Sequence, residues 1–299
     1  MGQGLPTLSR RSRRAIAPRL ALLAAATGVI SCLGCAEPEP PKNVLFIVVD
    51  TLRWDHVGVY GAARATTPAI DALAADSVRF ERAYSTAPWT IPSVASMLTG
   101  LYPHAHGAMH FRSQLPPSVD TLAEILSAQG YATAASVSHT VLNRLRRFGQ
   151  GFDRYLDSEA QGHKHLSTPG VTDQAIAFLK GFEKQDRPFF LFIHYFDPHY
   201  AFRHHPQLGF TNPPVERLTG SESITRLREM LPEMTRAELD FILALYDEEI
   251  RFTDGGIGRV LDALRELGLD DETLVVFTAD HGEEFGERGW LGHTTTLRE

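Results

Sequence analysis

The amino-acid sequence predicts an α/β fold with a mostly parallel central sheet and helices on both faces of that sheet. Short apolar runs, typical of strands buried inside a parallel sheet, recur along the chain. Stretches with the spacing of amphipathic helices separate these runs. Polar residues that are able to bind ligands follow three of the runs directly.

The composition indicates one globular unit behind a leader. The chain has 299 residues, of which 43% are hydrophobic and 22% charged, enough for a large packed core. Its formal net charge is -7, and no basic patch follows residue 42, so we expect no nucleic-acid partner.

Residues 1–35 are predicted to be a signal peptide. An apolar run at 20–33 follows a cluster of arginines, namely Arg10, Arg11, Arg13, Arg14 and Arg19. The run has about 14 residues, fewer than the roughly 20 that a membrane-spanning helix needs, so the pattern favours export over a permanent anchor. We therefore expect a periplasmic protein or a lipoprotein of the bacterial cell envelope.

Both cysteines of the chain, Cys32 and Cys35, lie at the end of this leader. The sequence VISC, ending at Cys32, resembles the lipobox at which bacterial lipoproteins are cut and acylated, and LGC at Cys35 is a second candidate. The alternative is that both residues belong to a leader that is discarded. No cysteine follows, so the mature part has no internal disulfide and no cysteine nucleophile.

Residues 36–42, rich in proline and glutamate, are predicted to be a linker, and the catalytic domain is predicted over 43–299. The first strand is expected at 43–49, because this run is continuously apolar. Further strands are expected at 131–137, 188–196 and 273–278, and helices at 67–76, 119–129, 172–183 and 236–267. The stretch 209–223, rich in Pro, Gly, Ser and Thr, is expected to be a surface loop near the rim of the site.

The three strand ends with polar residues carry Asp50, Asp197 with His199, and Asp280 with His281. Ligands of parallel sheets bind beyond the carboxyl ends of the strands, so these side chains predict a site. Each one alone is also compatible with a helix cap or an ordinary turn.

Three segments, in this order along the chain, resemble the sulfatase family of the alkaline-phosphatase superfamily. They are NVLFIVVDTLR from Asn43, TIPSVASMLTG from Thr90 and TADHGEE from Thr278. The resemblance covers nearly all of 43–299 and includes Asp254 with Gly258. It implies an alkaline-phosphatase-like fold and a metal-dependent ester hydrolase. Members of the family continue beyond His293 through further strands and a smaller subdomain, so the sequence is expected to be a fragment of a longer protein.

By this resemblance Asp50, Asp280 and His281 would be metal ligands, and Thr90 would be both a ligand and the nucleophile at the start of a helix. Pro92 suits the first turn of a helix, so the Thr90 hydroxyl would lie where free backbone N–H groups favour an anion. A cation against this oxygen would lower its pKa and draw charge from the ester.

The sequence departs from true sulfatases at the nucleophile, where they carry a cysteine or serine that is oxidised to formylglycine. Here the position is Thr90, and Val94 replaces the arginine of the motif. Threonine cannot become formylglycine, so the usual release of sulfate is not open to it. Water can attack phosphorus in a phospho-threonine in line, so the chemistry favours phosphate mono- or diesters or phosphonates, with sulfate esters as the alternative.

One divalent metal is expected, with zinc or manganese favoured over calcium. Thr51 replaces the second carboxylate of the calcium-type sites, and His281 supplies a nitrogen ligand. A second metal on Asp197, His199 and His293 is the alternative.

His199 and His293 are predicted to contact the charge of the ester or to protonate its leaving group. His139 is either a substrate contact or a satisfied histidine after a strand. Six other histidines are interpreted as surface groups or as groups that support the site from behind, and no role is assigned to them: His104, His106, His163, His165, His204 and His205.

The expected substrate is a small-molecule, glycan or lipid ester. Two other functions stay open: a phosphoglycerol or phosphoethanolamine transferase, and an inactive binding lipoprotein that keeps the fold. Such transferases usually carry several transmembrane helices, whereas this chain has only a leader, which favours hydrolysis.

Overall fold

The computed structural model describes residues 42–211 and 215–297. The predicted signal peptide, its two cysteines and all of the linker except Lys42 lie outside the described residues. Within the described ranges, no helix combines the length and apolar character needed to cross a membrane.

A five-stranded parallel sheet forms the centre of the fold, in the order β3-β2-β4-β1-β5. The strands are β1 (Asn43–Val49), β2 (Ala132–Val137), β3 (Arg154–Leu156), β4 (Phe189–Tyr195) and β5 (Thr273–Ala279). Val49 pairs with both Tyr195 and Ala279, so the carboxyl ends of β4, β1 and β5 lie level at one edge. A short antiparallel pair follows, β6 (Glu284–Phe285) and β7 (Leu291–Gly292).

Helices cover both faces of this sheet. They are α1 (Pro68–Ala74), α2 (Thr90–Thr99), α3 (Pro103–His106), α4 (Leu122–Ala128), α5 (Thr168–Phe182), α6 (Ile224–Met230) and α7 (Arg236–Glu266). Residues of β1 and β4 alternate between two cores: Leu45 and Leu191 pack with α5 and α7, whereas Val48 and Phe192 pack with α2. The fold class predicted from the sequence is confirmed.

The helix predicted at 172–183 was placed too late, because α5 begins at Thr168. The side chain of Asp197 explains this start. Its Oδ2 accepts hydrogen bonds from the backbone N–H groups of Ser167 and Thr168, at 3.1 and 2.8 Å, and from both hydroxyls, at 3.2 and 2.8 Å. This cap comes from a residue about 30 positions further along the chain, so no local pattern reveals it.

The two other motif residues, Asp254 and Gly258, join α7 to α1. Asp254 accepts hydrogen bonds from the N–H groups of Ala69 and Ile70 at the start of α1. A Cβ atom at Gly258 would lie only 3.1 Å from the Cβ of Ala69, so glycine permits the close approach of the helices. These residues therefore have a structural role.

Candidate active site

Three residues at the carboxyl edge of the sheet form a buried group with the chemistry of a metal site. Asp50 follows β1, Asp280 follows β5, and His194 is the penultimate residue of β4; all three are 0% exposed. One ligand atom from each lies within 4.8 Å of the others. Two carboxylates and an imidazole are able to hold a divalent metal ion.

His281 and Thr90 adjoin this group. The Nε2 atom of His281 lies 3.5 Å from Asp50 Oδ1, 3.5 Å from Asp280 Oδ2 and 3.4 Å from Thr90 Oγ1. Ligand atoms bound tetrahedrally at about 2.1 Å from a metal are about 3.4 Å apart. The spacing around His281 Nε2 therefore suits a shared ion.

The hydrogen bonds of these side chains leave the required lone pairs free. The Nδ1 atom of His281 donates to the carbonyl of Gly282 at 3.0 Å, so Nε2 of the neutral ring carries a lone pair. Asp280 Oδ1 accepts from the N–H groups of Thr51 and His281, while Oδ2 has no partner among the described residues. Both oxygens of Asp50 likewise accept no hydrogen bond from the described residues. Such orphaned buried oxygens fit a cation.

The charges of the site also favour a cation. Burial raises the pKa of Asp50 well above its ordinary value, and the nearby carboxylates of Asp280 and Glu283 raise it further. A divalent ion would keep Asp50 ionised at neutral pH.

Thr90 is the first residue of α2, as expected from the sequence, and it is 2% exposed. Ser93, one turn later, donates its hydroxyl to the carbonyl of Asp280 at 2.6 Å, and the Ser85 hydroxyl donates to the same carbonyl. These bonds hold the start of α2 against the end of β5. The Thr90 hydroxyl consequently lies between a helix N-terminus and the candidate ligands.

His199 and His293 form one wall of the site beside His281. The ring centres of His199 and His293 are 4.8 Å apart, and those of His281 and His293 are 4.6 Å apart. His199 donates from Nδ1 to the carbonyl of Tyr200 at 2.9 Å. The Nδ1 atom of His293 lies 3.0 Å from Glu283 Oε1.

These partners drive the two rings toward different protonation states. Burial, together with the neighbouring histidines, lowers the pKa of His199 well below its ordinary value. Burial lowers the pKa of His293 as well, but the charge and hydrogen bond of Glu283 outweigh it, so the pKa is raised. His199 is thus neutral with a free Nε2 lone pair, and His293 favours the protonated form.

The substitutions that distinguish this sequence from true sulfatases are accommodated in the structure. Val94 is 0% exposed and belongs to the core beside α2, so no cation replaces the arginine of the motif there. Thr51 is also 0% exposed, with a φ of 56°, and its backbone N–H donates to Asp280. Where a calcium-type site would have a second carboxylate, this chain therefore has a buried hydroxyl.

The structure brings together all the predicted site residues: Asp50, Thr90, His199, Asp280, His281 and His293. Asp197, considered as a ligand of a second metal, instead caps α5, and its Oδ2 is occupied by four donors. Among the histidines left unassigned, His163 packs against His199 with ring centres 4.9 Å apart.

Sequence reasoning missed His194 and Glu283. His194 is the one histidine in the otherwise aromatic and aliphatic run of β4, and this exception was a signal, since a buried imidazole is unfavourable without a partner. Glu283 is 0% exposed and immediately follows His281 and Gly282 in the sequence. His139 lies at the site as well, with Nε2 3.8 Å from Asp50 Oδ2.

Comparison with known proteins identifies the family of the chain. The family model described as "Sulfatase" matches residues 42–298. Arylsulfatase A of Homo sapiens is 30% identical over 319 residues, covering 90% of this chain and 56% of the relative. An ulvan-active sulfatase of Formosa agariphila is 29% identical over 274 residues, covering 84% of this chain and 52% of the relative.

Solved structures show the same fold. The phosphonate monoester hydrolase of Agrobacterium radiobacter superposes with a TM-score of 0.66 at 24% identity, covering 84% of this chain and 64% of that protein. A 2-O GAG sulfatase gives a TM-score of 0.65 at 21% identity, covering 87% of this chain and 62% of that protein.

The fold and the buried Asp/His/Asp group define an α/β protein of the alkaline-phosphatase-like class, with a site that can hold a divalent metal. The chain belongs to the sulfatase family. It spans about half the length of the curated relatives it matches.

Proposed function

We propose that the protein hydrolyses phosphate-type esters, either phosphate mono- or diesters or phosphonates, through a covalent intermediate on Thr90. The observation that supports this most directly is the position of the Thr90 hydroxyl. It lies at the N-terminus of α2, buried, and 3.4 Å from His281 Nε2.

Asp50, Asp280, His281 and Thr90 would hold the metal ion. When bound, it would lower the pKa of the threonine hydroxyl and withdraw charge from the ester oxygens. Two carboxylates and an imidazole favour zinc or manganese over calcium.

His293 is suited to act as the general acid of the first step. The Thr90 hydroxyl first releases its proton to solvent. As Thr90 Oγ then forms a bond to phosphorus, the bond from phosphorus to the leaving alcohol breaks, and that oxygen takes a proton from His293 Nε2, which leaves His293 neutral. Glu283, hydrogen-bonded to Nδ1, stabilises the charged ring before the transfer.

His199 is suited to the second step. Its free Nε2 lone pair accepts a proton from the water that attacks phosphorus, while the bond from phosphorus to Thr90 Oγ breaks and the threonine leaves without a proton, ready for the next cycle. Transfer of the proton from His199 to His293 through solvent then restores the starting state. The same pair of histidines thus serves both steps.

The substrate is proposed to be a small molecule or a glycan. Relatives and structural neighbours include an ulvan-active sulfatase and a protein whose crystal structure was solved in complex with k-i-k-neocarrahexaose. Phosphonate monoester hydrolases among the neighbours are compatible with the preference for phosphorus.

A substrate panel tests the proposal with the full-length protein. Aryl phosphate, aryl phosphodiester, aryl phosphonate and aryl sulfate would be compared for wild type, Thr90→Ala and the matched control Thr90→Ser. We expect turnover of at least one phosphorus ester, a loss of at least about 10⁴-fold in kcat for Thr90→Ala, and partial activity for Thr90→Ser. Turnover of aryl sulfate alone would contradict the assignment to phosphorus.

The predicted leader leads us to propose export to the cell envelope, with acylation of Cys32 or Cys35 as the means of attachment. Metabolic labelling with a palmitate analogue in a bacterial host, with Cys32→Ser and Cys35→Ser as paired variants, would identify the modified residue. Label that is retained when both cysteines are replaced in one chain would rule out a lipid anchor on Cys32 or Cys35.

A further inference from the structure

We propose that the exposed surface formed by residues 109–112 and 144–147, here called the basic patch, docks onto the headgroups of an anionic phospholipid bilayer. The proposal goes beyond the hydrolysis proposed above and does not depend on its mechanism. The two segments read MHFR and RLRR, and neither contains an acidic residue. The chain as a whole has a formal net charge of -7, so this surface is a local exception. The expectation of no basic patch after residue 42 is corrected by this surface.

Backbone and side-chain contacts join the two segments into one surface. The N–H of Leu115 donates to the carbonyl of Arg146 at 2.9 Å. The guanidinium of Arg146 donates in return to the carbonyl of Ser113 at 3.3 Å, and it lies 5.4 Å from the centre of the Phe111 ring. Ser113 and Arg146 are 33 positions apart in the sequence, so only the fold assembles the basic patch.

The arginines of the basic patch are largely available to an external anion. Arg112, Arg144 and Arg147 are exposed, and Arg146 is half-buried. Arg144 Nε lies 3.9 Å from Asp157 Oδ1, and its guanidinium also donates to the carbonyl of Tyr155. The side chains of Arg112 and Arg147 have no ion pair or hydrogen bond among the described residues. Guanidinium groups bind phosphates with two parallel hydrogen bonds, so lipid phosphates are suitable partners.

Large apolar side chains stand among these arginines. Leu145 is 81% exposed, Phe111 65% and Met109 44%. Apolar side chains that alternate with arginine are typical of surfaces that lie in the bilayer interface, where the apolar groups enter the acyl boundary and the cations bind headgroups. A soluble polyanion would engage the arginines but would leave Leu145 in water. The combination therefore favours a bilayer.

A second exposed apolar segment lacks the matching charge. Segment 76–82 exposes Val78 at 83% and Phe80 at 69%. Its two acidic and two basic residues cancel, however, so an anionic surface does not attract it. Charge complementarity thus distinguishes the basic patch from the other apolar surface.

The basic patch adjoins the edge of the sheet that carries the candidate active site. The backbone N–H of Arg144 donates to Asp157 Oδ2 at 3.0 Å, and Asp157 immediately follows β3 at its carboxyl end. His139, which follows β2 and lies 3.8 Å from Asp50 Oδ2, precedes Arg144 by five residues. Docking through the basic patch would hold this edge of the sheet near the bilayer.

Vesicle flotation tests the proposal on the mature full-length protein, from Ala36 onward and without an acyl group. Binding would be measured to vesicles of equal parts phosphatidylglycerol and phosphatidylcholine, and to vesicles of phosphatidylcholine alone. We expect binding to the anionic vesicles and much weaker binding to the neutral ones. Added salt should weaken the binding to anionic vesicles, because it screens the charges.

Two variants remove the charge and the apolar group separately. Arg112→Ser combined with Arg147→Asn removes two charges, and asparagine tolerates the φ of 66° at position 147. Each arginine near an anionic surface strengthens binding about fivefold, so this variant should bind about 25-fold more weakly. Leu145→Ser removes the most exposed apolar side chain of the basic patch and should weaken binding about tenfold.

The controls replace matched groups elsewhere on the surface. Arg236→Ser combined with Arg265→Ser removes two exposed charges of α7, and Val78→Ser removes an exposed apolar side chain. Both controls should bind as wild type does. Hydrogen–deuterium exchange of the wild type needs no variant, and anionic vesicles should protect residues 109–112 and 144–147 from exchange.

The absence of binding to anionic vesicles, binding that both patch variants retain in full, or protection only outside the two segments would overturn the proposal. Binding to free dextran sulfate without binding to vesicles would also overturn it and would assign the basic patch to a soluble polyanion. Hydrolysis of a soluble aryl ester should be unchanged in the patch variants. Failure of the docking surface is therefore distinguishable from failure of the hydrolytic mechanism.

Discussion

Replacing Asp197 separates its role as a helix cap from a role as metal ligand. Asp197 is 6% exposed, and its Oδ2 accepts four hydrogen bonds at the start of α5. Asp197→Ala removes the cap, worth about 1 kcal/mol, and leaves the second backbone N–H unpaired at about 1–3 kcal/mol, whereas the two hydroxyls are able to rotate toward other acceptors. We therefore expect a loss of about 2 to 4 kcal/mol in the free energy of unfolding.

The matched variant is Asp197→Asn, which keeps an accepting oxygen and should lose about 1 kcal/mol. Urea unfolding followed by circular dichroism gives the stability, and mass spectrometry of the folded protein gives its metal content. The metal content should equal that of wild type in both variants. An ion lost from Asp197→Asn, with the stability preserved, would refute the assignment of Asp197 as a cap.

Two further predictions concern charge. Glu283→Gln removes the group that raises the pKa of His293, so the alkaline limb of the pH–rate profile, where the acid loses its proton, should move to lower pH; an unmoved limb would exclude His293 as the acid. Chelation should lower the melting temperature, and more so as pH rises above about 4, where an unfolded carboxyl ionises. The reason is that the pKa of Asp50 is raised in the metal-free folded protein, so the unfolded chain ionises this carboxyl first. The metal-free folded protein therefore loses stability from about pH 4 until the pH passes the raised pKa of Asp50. A chelation effect that shrinks with rising pH would argue against Asp50 as a ligand.

The sequence was sufficient to predict the parallel sheet and the close approach of Asp50 and Asp280 at its edge. Strands β1 and β5 are adjacent and in register, with Val49 opposite Ala279, so residues that follow them are brought together by the sheet itself. Thr90 required a different signal, the pattern of a helix start with Pro92 in its first turn.

The position of His194 could be inferred only once the strand order was known. Val48 and His194 are partners across β1 and β4, so they share one face of the sheet. That face carries the core of α2, and Phe192, two residues earlier on β4, packs there. Without the pairing of β1 with β4, His194 is only a polar residue inside an apolar run.

The hydrogen bonds of the site's histidines were also beyond the sequence. The tautomers of His199 and His281 depend on backbone carbonyls, and the charge of His293 depends on Glu283, ten positions away. The sequence identifies residues with suitable chemistry, and the fold determines which ring carries which proton.

Acid quenching of the enzyme during turnover tests the central claim most directly. Wild-type protein mixed with an aryl phosphate or phosphonate ester would be quenched within the first turnover, digested and mapped by mass spectrometry. The mechanism predicts one added phosphoryl or phosphonyl group on the peptide that contains Thr90, located on Thr90 itself and absent from Thr90→Ala. Steady turnover with an unmodified Thr90 peptide at every quench time, or with the group on another residue, would contradict the account.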